Sequence, residues 1–292
     1  MTTPCPPPDF DTRPPAIAPP SGACDTHAHV MGPVARYPFA PKRNYTPVDV
    51  PVEAYAAMLE ALGIERCVIV QPSAYRTDHR VTIDAIAALG GRARGIATVP
   101  PDTPDAEFAA LAEAGFRGVR VSTLAGGSYG VEHLESFAAR AKELGWMIQL
   151  HLDVVSDIIE IAPRLARLDV PLLVDHMGRP RGADGPDAPG FRALVALLRD
   201  NDHCWAKICS FYRLSDAGPP YDDLRPMADA LIEARPDRLV WGSNWPHPNH
   251  HHGPMPNDGD LLDIFMRWVD DPALRKTIMA DNAARLFGFT DG

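Results

Sequence analysis

Two histidines separated by one residue are the clearest candidates for chemistry in this chain. They are His27 and His29, in the segment Asp25-Thr26-His27-Ala28-His29. Side chains at positions i and i+2 of a β-strand point to the same face, so we expect both imidazoles to enter one site. Two neighbouring neutral imidazoles can bind a divalent metal ion or polarise a carbonyl group. A histidine pair hydrogen-bonded within a loop is the simpler structural alternative.

Other histidines and polar side chains stand at or just after the ends of predicted strands. The strand ends carry candidate substrate-binding side chains, namely Gln71, Arg120, Arg179, Arg213 and His247. In an α/β barrel the carboxyl ends of all strands meet at one mouth, where catalytic groups lie. We therefore predict one active site with five catalytic residues, which are His27, His29, His151, His176 and Asn244.

Short apolar runs alternate with longer segments of helical period, and these must position the ring of side chains. Several of the short runs are continuously apolar, as in parallel sheets covered by helices. We predict eight strands, at Ala23–His29, Arg66–Gln71, Arg94–Val99, Gly115–Val121, Met147–Leu152, Pro171–His176, Cys204–Cys209 and Arg238–Trp241. Predicted helices follow nearly every strand, including Asp153–Ala166 and the tail Asp271–Phe287. Eight such units predict an α/β fold, a (β/α)8 TIM barrel, with a doubly wound sheet as the alternative.

Composition restricts the class of protein further. The length of 292 residues suits one α/β barrel. Residues 1–22 are rich in proline and predict an extended N-terminal arm, which leaves 23–292 as a single catalytic barrel. The net charge of −10 argues against a nucleic-acid partner, and no apolar run predicts a membrane span. Five scattered cysteines and the lack of a secretory leader predict a cytoplasmic protein without disulfides.

Two features of the predicted ring bear on substrate and reaction. Arg120, Arg179 and Arg213 are expected at the mouth of an otherwise acidic protein, which favours binding of a carboxylate or similar anion. At Asn244 an acid could serve as general base, whereas an amide has no proton acceptor that titrates near neutral pH. Loop salt bridges for the arginines and a loop-capping role for the asparagine are the structural alternatives.

The motifs around these residues resemble the amidohydrolase superfamily, and within it the branch of 2-pyrone-4,6-dicarboxylate lactonase. The likeness extends from about Gly22 to Phe287 and is carried by CDTHAHVMGP, YPFAPKRNYTP, VQPS, GFRGVR, VDHMGRP and RLVWGSNWPHPN. VDHMGRP and WPHPN are its most specific parts. The resemblance implies an amidohydrolase-type barrel that acts on a lactone and works without a bound metal.

The resemblance also implies roles for individual residues. The residues matching His27, His29 and His176 surround the ester carbonyl and polarise it in the lactonase. Those matching Tyr45 and the three arginines contact substrate oxygens or carboxylates. An acid at the end of the eighth strand activates water there.

The chain departs from the lactonase at three places. Position 244 is Asn instead of Asp, and residues 122–127 lack an arginine that helps to bind a second carboxylate. His151 stands where the lactonase has a tyrosine. Loss of the base slows attack by water, by typically 10²–10⁴-fold, whereas a hydroxyl of the substrate itself needs less activation.

These departures favour isomerisation of a carboxylated sugar lactone by internal acyl transfer, as in D-galactarolactone isomerase, the branch member that the chain most resembles. The alternative is a lactone hydrolase acting on 2-pyrone-4,6-dicarboxylate, a sulfomuconolactone or a sugar lactone. No cofactor is favoured, but one zinc ion assisting hydrolysis is a second possibility, with ligands His27, His29, His151 and His176. A non-catalytic sugar-acid binding protein is the third interpretation. Each alternative has a small carboxylated lactone or sugar acid as the partner.

Overall fold

The computed structural model describes residues 4–124, 128–153 and 156–290. Eight parallel strands pair in chain order, each with the next. They are β1 Cys24–Ala28, β2 Arg66–Val70, β3 Ala93–Ala97, β4 Phe116–Ser122, β5 Met147–His151, β6 Leu172–Val174, β7 Cys204–Ile208 and β8 Leu239–Trp241. Backbone hydrogen bonds join the end of β1 to the segment after β8, with His29 N donating to Trp245 O at 2.8 Å. The sheet is thereby a nearly closed barrel, which confirms the predicted (β/α)8 fold.

Helices cover the outside of the barrel. Gly63 and Gly145 end two of them in the left-handed conformation, with φ of 72° and 64°, where a glycine avoids the steric cost of a Cβ. Within the described residues the α-helices are α1 Val52–Leu62, α2 Arg80–Leu89, α3 Asp105–Glu113, α4 Leu134–Leu144, α5 Ile158–Leu165, α6 Pro189–Asp200, α7 Phe211–Leu214, α8 Arg225–Ala234, α9 Asp258–Trp268, α10 Pro272–Lys276 and α11 Asn282–Phe287. A π-helical turn joins α10 to α11.

Most predicted strands agree with the observed ones to within one or two residues at each end, and three differences among the elements have a structural explanation or lie partly outside the described residues. Strand β6 is shorter than the predicted Pro171–His176, because the chain leaves the sheet there and turns at His176 with φ of 54°. Helix α5 begins at Ile158 instead of Asp153, and residues 154 and 155 of the predicted helix lie outside the described residues. The predicted tail helix Asp271–Phe287 is divided by the π-helical turn.

Two layers of apolar side chains hold the barrel together. The larger layer lies between the strands and the helices. A smaller cluster includes strand residues such as Val68, Val240 and Trp205, together with Phe287 and Phe289 from the end of the chain. Along β7, Trp205 belongs to this smaller cluster, whereas Ala206 and Ile208 belong to the larger layer. Since side chains alternate along a strand, Lys207 faces the same side of β7 as Trp205.

The N-terminal segment runs over the barrel without a helix or strand in its described part, residues 4–22. Cys5 N donates to Thr46 O at 2.7 Å, and Arg13 forms an ion pair with Asp260 of α9. The arm therefore contacts both the loop after β1 and the helix after β8. Elsewhere in the described chain, no helix is long and apolar enough to cross a bilayer.

Candidate active site

A cavity of about 260 Å³ lies at the carboxyl ends of the strands. The catalytic candidates on its wall are His29, His151, His176 and Asn244. The substrate-binding candidates on its wall are Tyr45, Arg120, Arg179 and Arg213. The fold thus brings eight of the predicted site residues to one cavity.

His27 lies beside the histidines that line the cavity and is completely buried. Its ring centroid is 5.1 Å from that of His29 and 4.8 Å from that of His176. Its Nδ1 is 3.1 Å from Nζ of Lys207, while no described residue gives its buried Nε2 a hydrogen-bond partner. Burial, reinforced by the Lys207 ammonium, holds the pKa of His27 well below its usual value, so the ring is neutral at pH 7.

His29 follows the end of β1, and its proton position is fixed by one contact. Nδ1 lies 2.8 Å from the carbonyl oxygen of Val70 and must donate to it, because a carbonyl only accepts. The neutral ring therefore has a lone pair on Nε2. Burial and the nearby Arg120 lower the pKa of His29 to about 3, which keeps this lone pair unprotonated at neutral pH.

His176 and His151 complete the group of imidazoles, with ring centroids 5.5 Å apart. His176 Nδ1 lies 2.9 Å from both Sγ of Cys209 and Oγ of Ser210. Burial lowers the pKa of both histidines well below the usual value. All four imidazoles are therefore neutral, and none adds to the positive charge of the arginines.

A buried carboxylate, Asp175, organises the charges beneath the cavity. Its Oδ2 accepts from Arg120 at 2.9 Å and from Gln149 Nε2 at 3.0 Å, and its Oδ1 lies 3.1 Å from Nζ of Lys207. Burial opposes its ionisation, but the charges of Lys207 and Arg120 outweigh burial and lower the pKa of Asp175. Sequence reasoning assigned no role in the site to Asp175 or Lys207, although Lys207 stands near the end of the seventh predicted strand. The available signal was a charged residue within a predicted buried strand, which is rare unless the charge is paired.

A second buried carboxylate, Asp25 on β1, binds the segment that follows β8. Its oxygens accept from Ser243 N at 2.8 Å, from Ser243 Oγ at 2.6 Å and from Tyr55 OH at 2.9 Å. Gly242 must pass close to β1, since a Cβ at this position would lie 2.9 Å from Cβ of His27. These contacts hold the segment after β8 against the histidine strand.

Asn244 is held in a left-handed backbone conformation, with φ of 62°. Its backbone N donates to His27 O at 2.7 Å, and its Nδ2 donates to Tyr212 OH at 2.7 Å. With the amide nitrogen used in this way, the amide oxygen is left to face the cavity that Asn244 lines. Tyr212 is a site residue that sequence reasoning missed, and its ring packs edge-on against those of His247 and His250.

The cavity wall is cationic. Arg120 is engaged by Asp175, and Arg213 donates to Pro248 O, but Nε of Arg179 is buried without a hydrogen-bond partner in the described part of the chain. No carboxylate is among the described residues that line the cavity. Burial raises the pKa of Tyr45 to about 12, so its phenol remains a hydrogen-bond donor. This wall suits an anionic ligand.

Two predicted substrate-binding residues are not among the described residues that line the cavity. Gln71 donates to the carbonyls of Arg76 and Asp78 and so braces the loop after β2. His247 is buried, with Nε2 3.2 Å from Asp258 Oδ2. Both side chains bond to other parts of the protein, so neither is available to bind a substrate in the cavity. Of the 122–127 stretch without an arginine, residues 125–127 lie outside the described residues.

Within the described residues, one group could hold a metal ion by distance: the ligand atoms of His27, His176 and Cys209 lie within 4.8 Å of one another. The chemistry of this donor set does not fit zinc. Burial raises the pKa of Cys209 to about 12, so it is a thiol and not a thiolate. The ammonium of Lys207 and the guanidinium of Arg120 already neutralise Asp175, so a dication would enter a positive environment. The four-histidine zinc set stays a prediction.

The chain belongs to the amidohydrolase family, which matches residues 24–289. It is 41% identical over 290 residues to 4-sulfomuconolactone hydrolase of Rhizobium radiobacter, covering 98% of this chain and 96% of that protein. It is 37% identical over 279 residues to 2-pyrone-4,6-dicarboxylate hydrolase of Comamonas testosteroni, covering 92% and 90%. D-galactarolactone isomerase of Agrobacterium fabrum is 29% identical over 271 residues, covering 92% and 91%.

Solved structures also include relatives of this fold. An apo crystal structure of Agrobacterium tumefaciens ATU3138 superposes with a TM-score of 0.85 and 29% identity, covering 95% of this chain and all of that one. The predicted family and the prediction of an enzyme are confirmed. The chain is a lactone-acting enzyme of the amidohydrolase family. The relatives support the hydrolase alternative better than the isomerase that position 244 had favoured.

Proposed function

We propose that this protein hydrolyses a lactone that carries at least one anionic group. The observation that carries the proposal is the cavity wall, where three guanidinium groups and no described carboxylate lie beside neutral imidazoles. A carboxylate or sulfonate on the substrate would pair with Arg179 and Arg213, which line the cavity. The hydrolase relatives support cleavage by water, and their named substrates define the first compounds to test.

The histidines divide the chemistry between them. The Nε2 of His27 is a buried polar atom without a described partner, and as an N–H it would donate to the lactone carbonyl and stabilise the developing oxyanion. His29 has its Nε2 lone pair available and would accept the proton of the attacking water. The amide oxygen of Asn244 would accept the second water hydrogen and so orient the nucleophile.

The steps balance without a further reactant. Water oxygen bonds to the carbonyl carbon while its proton passes to His29. The bond between the carbonyl carbon and the ring oxygen then breaks, and the same proton returns to the leaving oxygen. A base with a pKa of about 3 is weak, but part of its depression comes from the charges of Arg120 and Arg213. An anionic substrate neutralises these charges and raises the basicity of His29.

Isomerisation remains the second candidate, because Asn244 supplies no carboxylate base. Incubation in H₂¹⁸O separates the two reactions. The test compounds are 4-sulfomuconolactone, 2-pyrone-4,6-dicarboxylate and galactarolactones, followed by NMR and mass spectrometry. We expect an open acid with one ¹⁸O in its new carboxylate. A new, unlabelled lactone would overturn hydrolysis, and no reaction with any of these lactones would contradict the proposal as a whole.

The anion requirement is tested with paired arginine variants. Arg179→Met removes a guanidinium that lines the cavity, and we expect the KM for an anionic lactone to rise about 10–100-fold, as for loss of a hydrogen bond to a charged group. Arg181→Met removes an exposed arginine two residues away, paired with Asp216, and should leave KM unchanged. Equal KM values in the two variants would contradict the proposed binding mode.

A further inference from the structure

We infer that Lys207 fixes the proton of the neutral His27 ring on Nε2. The ring then offers the site a hydrogen-bond donor instead of a lone pair for a metal ion. Lys207 is a positioning residue in this role, since it acts on the reaction only through His27.

The inference rests first on the surroundings of the Lys207 ammonium. Lys207 lies on β7 and is completely buried. Its Nζ is 2.9 Å from Thr26 O, 3.1 Å from Nδ1 of His27 and 3.1 Å from Oδ1 of Asp175. An ammonium carries only donors, so Nδ1 must present a lone pair to it. A neutral imidazole has one proton, which is then on Nε2.

Asp175 offers the competing arrangement. Its Oδ1 lies 3.3 Å from Nδ1 of His27 and could accept a proton from that nitrogen. The ammonium contact is the shorter one, and the carboxylate already receives Arg120, Gln149 and Lys207. A proton on Nδ1 would lie against the buried ammonium, which carries no acceptor, whereas Asp175 is already stabilised by three donor groups without His27.

The proton position decides which partner Nε2, on the other side of the His27 ring, can bind. Nε2 of His27 is buried, and no described residue pairs with it. Buried polar atoms are rarely left without a partner, so a bound molecule is expected to supply one. If the proton is on Nε2, that partner must be an acceptor such as a carbonyl oxygen, and a cation is excluded. Only the identity of this oxygen as a lactone carbonyl rests on the proposed function.

The direct test is the tautomer of His27 in the full-length protein without substrate. Protein labelled with ¹⁵N-histidine is examined by long-range ¹H–¹⁵N correlation, with His27→Gln identifying the resonances. We expect a protonated Nε2 and an unprotonated Nδ1. The opposite pattern would overturn the inference, whatever reaction the enzyme catalyses. Titration with zinc adds a second readout, and stoichiometric binding at His27 in the unaltered protein would also overturn it.

The variant Lys207→Met tests whether Lys207 causes this tautomer of His27. Without the ammonium, Nδ1 of His27 can donate to Asp175, as metal-bound histidines do to carboxylates, and Nε2 gains the lone pair. We expect the tautomer to switch, zinc affinity to increase and kcat to fall about 10²–10³-fold, as for loss of an oxyanion donor. Gln149→Met is the matched control, since it removes contacts to Lys207 and Asp175 but leaves the Lys207–His27 contact. The control should keep the original tautomer.

A switched tautomer in Gln149→Met, or an unchanged tautomer in folded Lys207→Met, would contradict the role of Lys207. If Lys207→Met does not fold, the spectrum of the unaltered protein still decides the inference. Failure of lactone hydrolysis with a protonated Nε2 would count against the proposed function alone.

Discussion

Acidification should destabilise this protein through histidines that the fold keeps neutral. His29 has a pKa of about 3 in the folded protein, against about 6.5 in the unfolded chain. The folded pKa is the lower one, so the stabilisation is present above pH 6.5 and is lost as pH falls from there towards 3. Over this range His29 binds a proton in the unfolded state but stays unprotonated in the folded state.

The size of the effect follows from the two pKa values. At pH 5 the unfolded state gains about 2 kcal/mol from protonating this one histidine, and at pH 7 almost nothing. His79 is also buried, with a pKa lowered to about 4, and contributes about the same at pH 5. Burial shifts His27, His151 and His176 in the same direction. His29 and His79 together should lower the free energy of unfolding by about 4 kcal/mol between pH 7 and pH 5, and burial of Asp25, which raises its pKa to about 6, offsets about 1 kcal/mol of this loss.

Urea unfolding followed by tryptophan fluorescence at pH 7, 6 and 5 measures this loss. His29→Gln keeps an N–H that can donate to Val70 but cannot be protonated, so its loss between pH 7 and 5 should be smaller by about 2 kcal/mol. His252→Gln, in an exposed loop, is the control and should behave as the unaltered protein. The reasoning would be refuted if His29→Gln lost as much stability on acidification as the control.

Three substitutions test the segment after β8. Asn244→Asp supplies the missing carboxylate and should raise kcat for hydrolysis at least tenfold, measured by open-acid formation; an unchanged kcat would show that water activation is not limiting. Tyr212→Phe removes the acceptor of the Asn244 amide and should cost about 1 kcal/mol of transition-state stabilisation, roughly a fivefold drop in kcat with the fold intact by circular dichroism. Gly242→Ala would place a Cβ 2.9 Å from Cβ of His27 and should lower the free energy of unfolding by about 1–3 kcal/mol in urea titrations. Gly91→Ala meets nothing within 4 Å and is its control; equal effects would disprove the close contact.

The positions of the reactive side chains along the chain were predictable, because they depend on a repeating pattern. Each βα unit of a barrel places its strand's carboxyl end at the same mouth. His151 and His176 therefore meet, although they lie 25 positions apart along the chain. The same logic brought Arg120 and Arg213 to the cavity, and the structure agrees.

Sequence reasoning did not predict which polar side chains at strand ends face the cavity and which bond to a neighbouring loop. Gln71 and His247 stand at strand ends like the residues that line the cavity, yet each turns to a local protein partner. Nothing in the pattern distinguishes a polar side chain that faces the mouth from one that braces a loop. The choice depends on which acceptors the neighbouring loop presents.

The sequence by itself therefore determined the barrel, the place of the site and the residue types available to it, since these follow from strand period and strand order. Only the tertiary structure decided what each group can do. The contact between Lys207 and His27 joins residues 180 positions apart and assigns a proton, and Tyr212 orients the Asn244 amide across 32 positions. Proton positions and amide orientations are set by contacts of this kind at distances near 3 Å, and such contacts exist only once the barrel has closed.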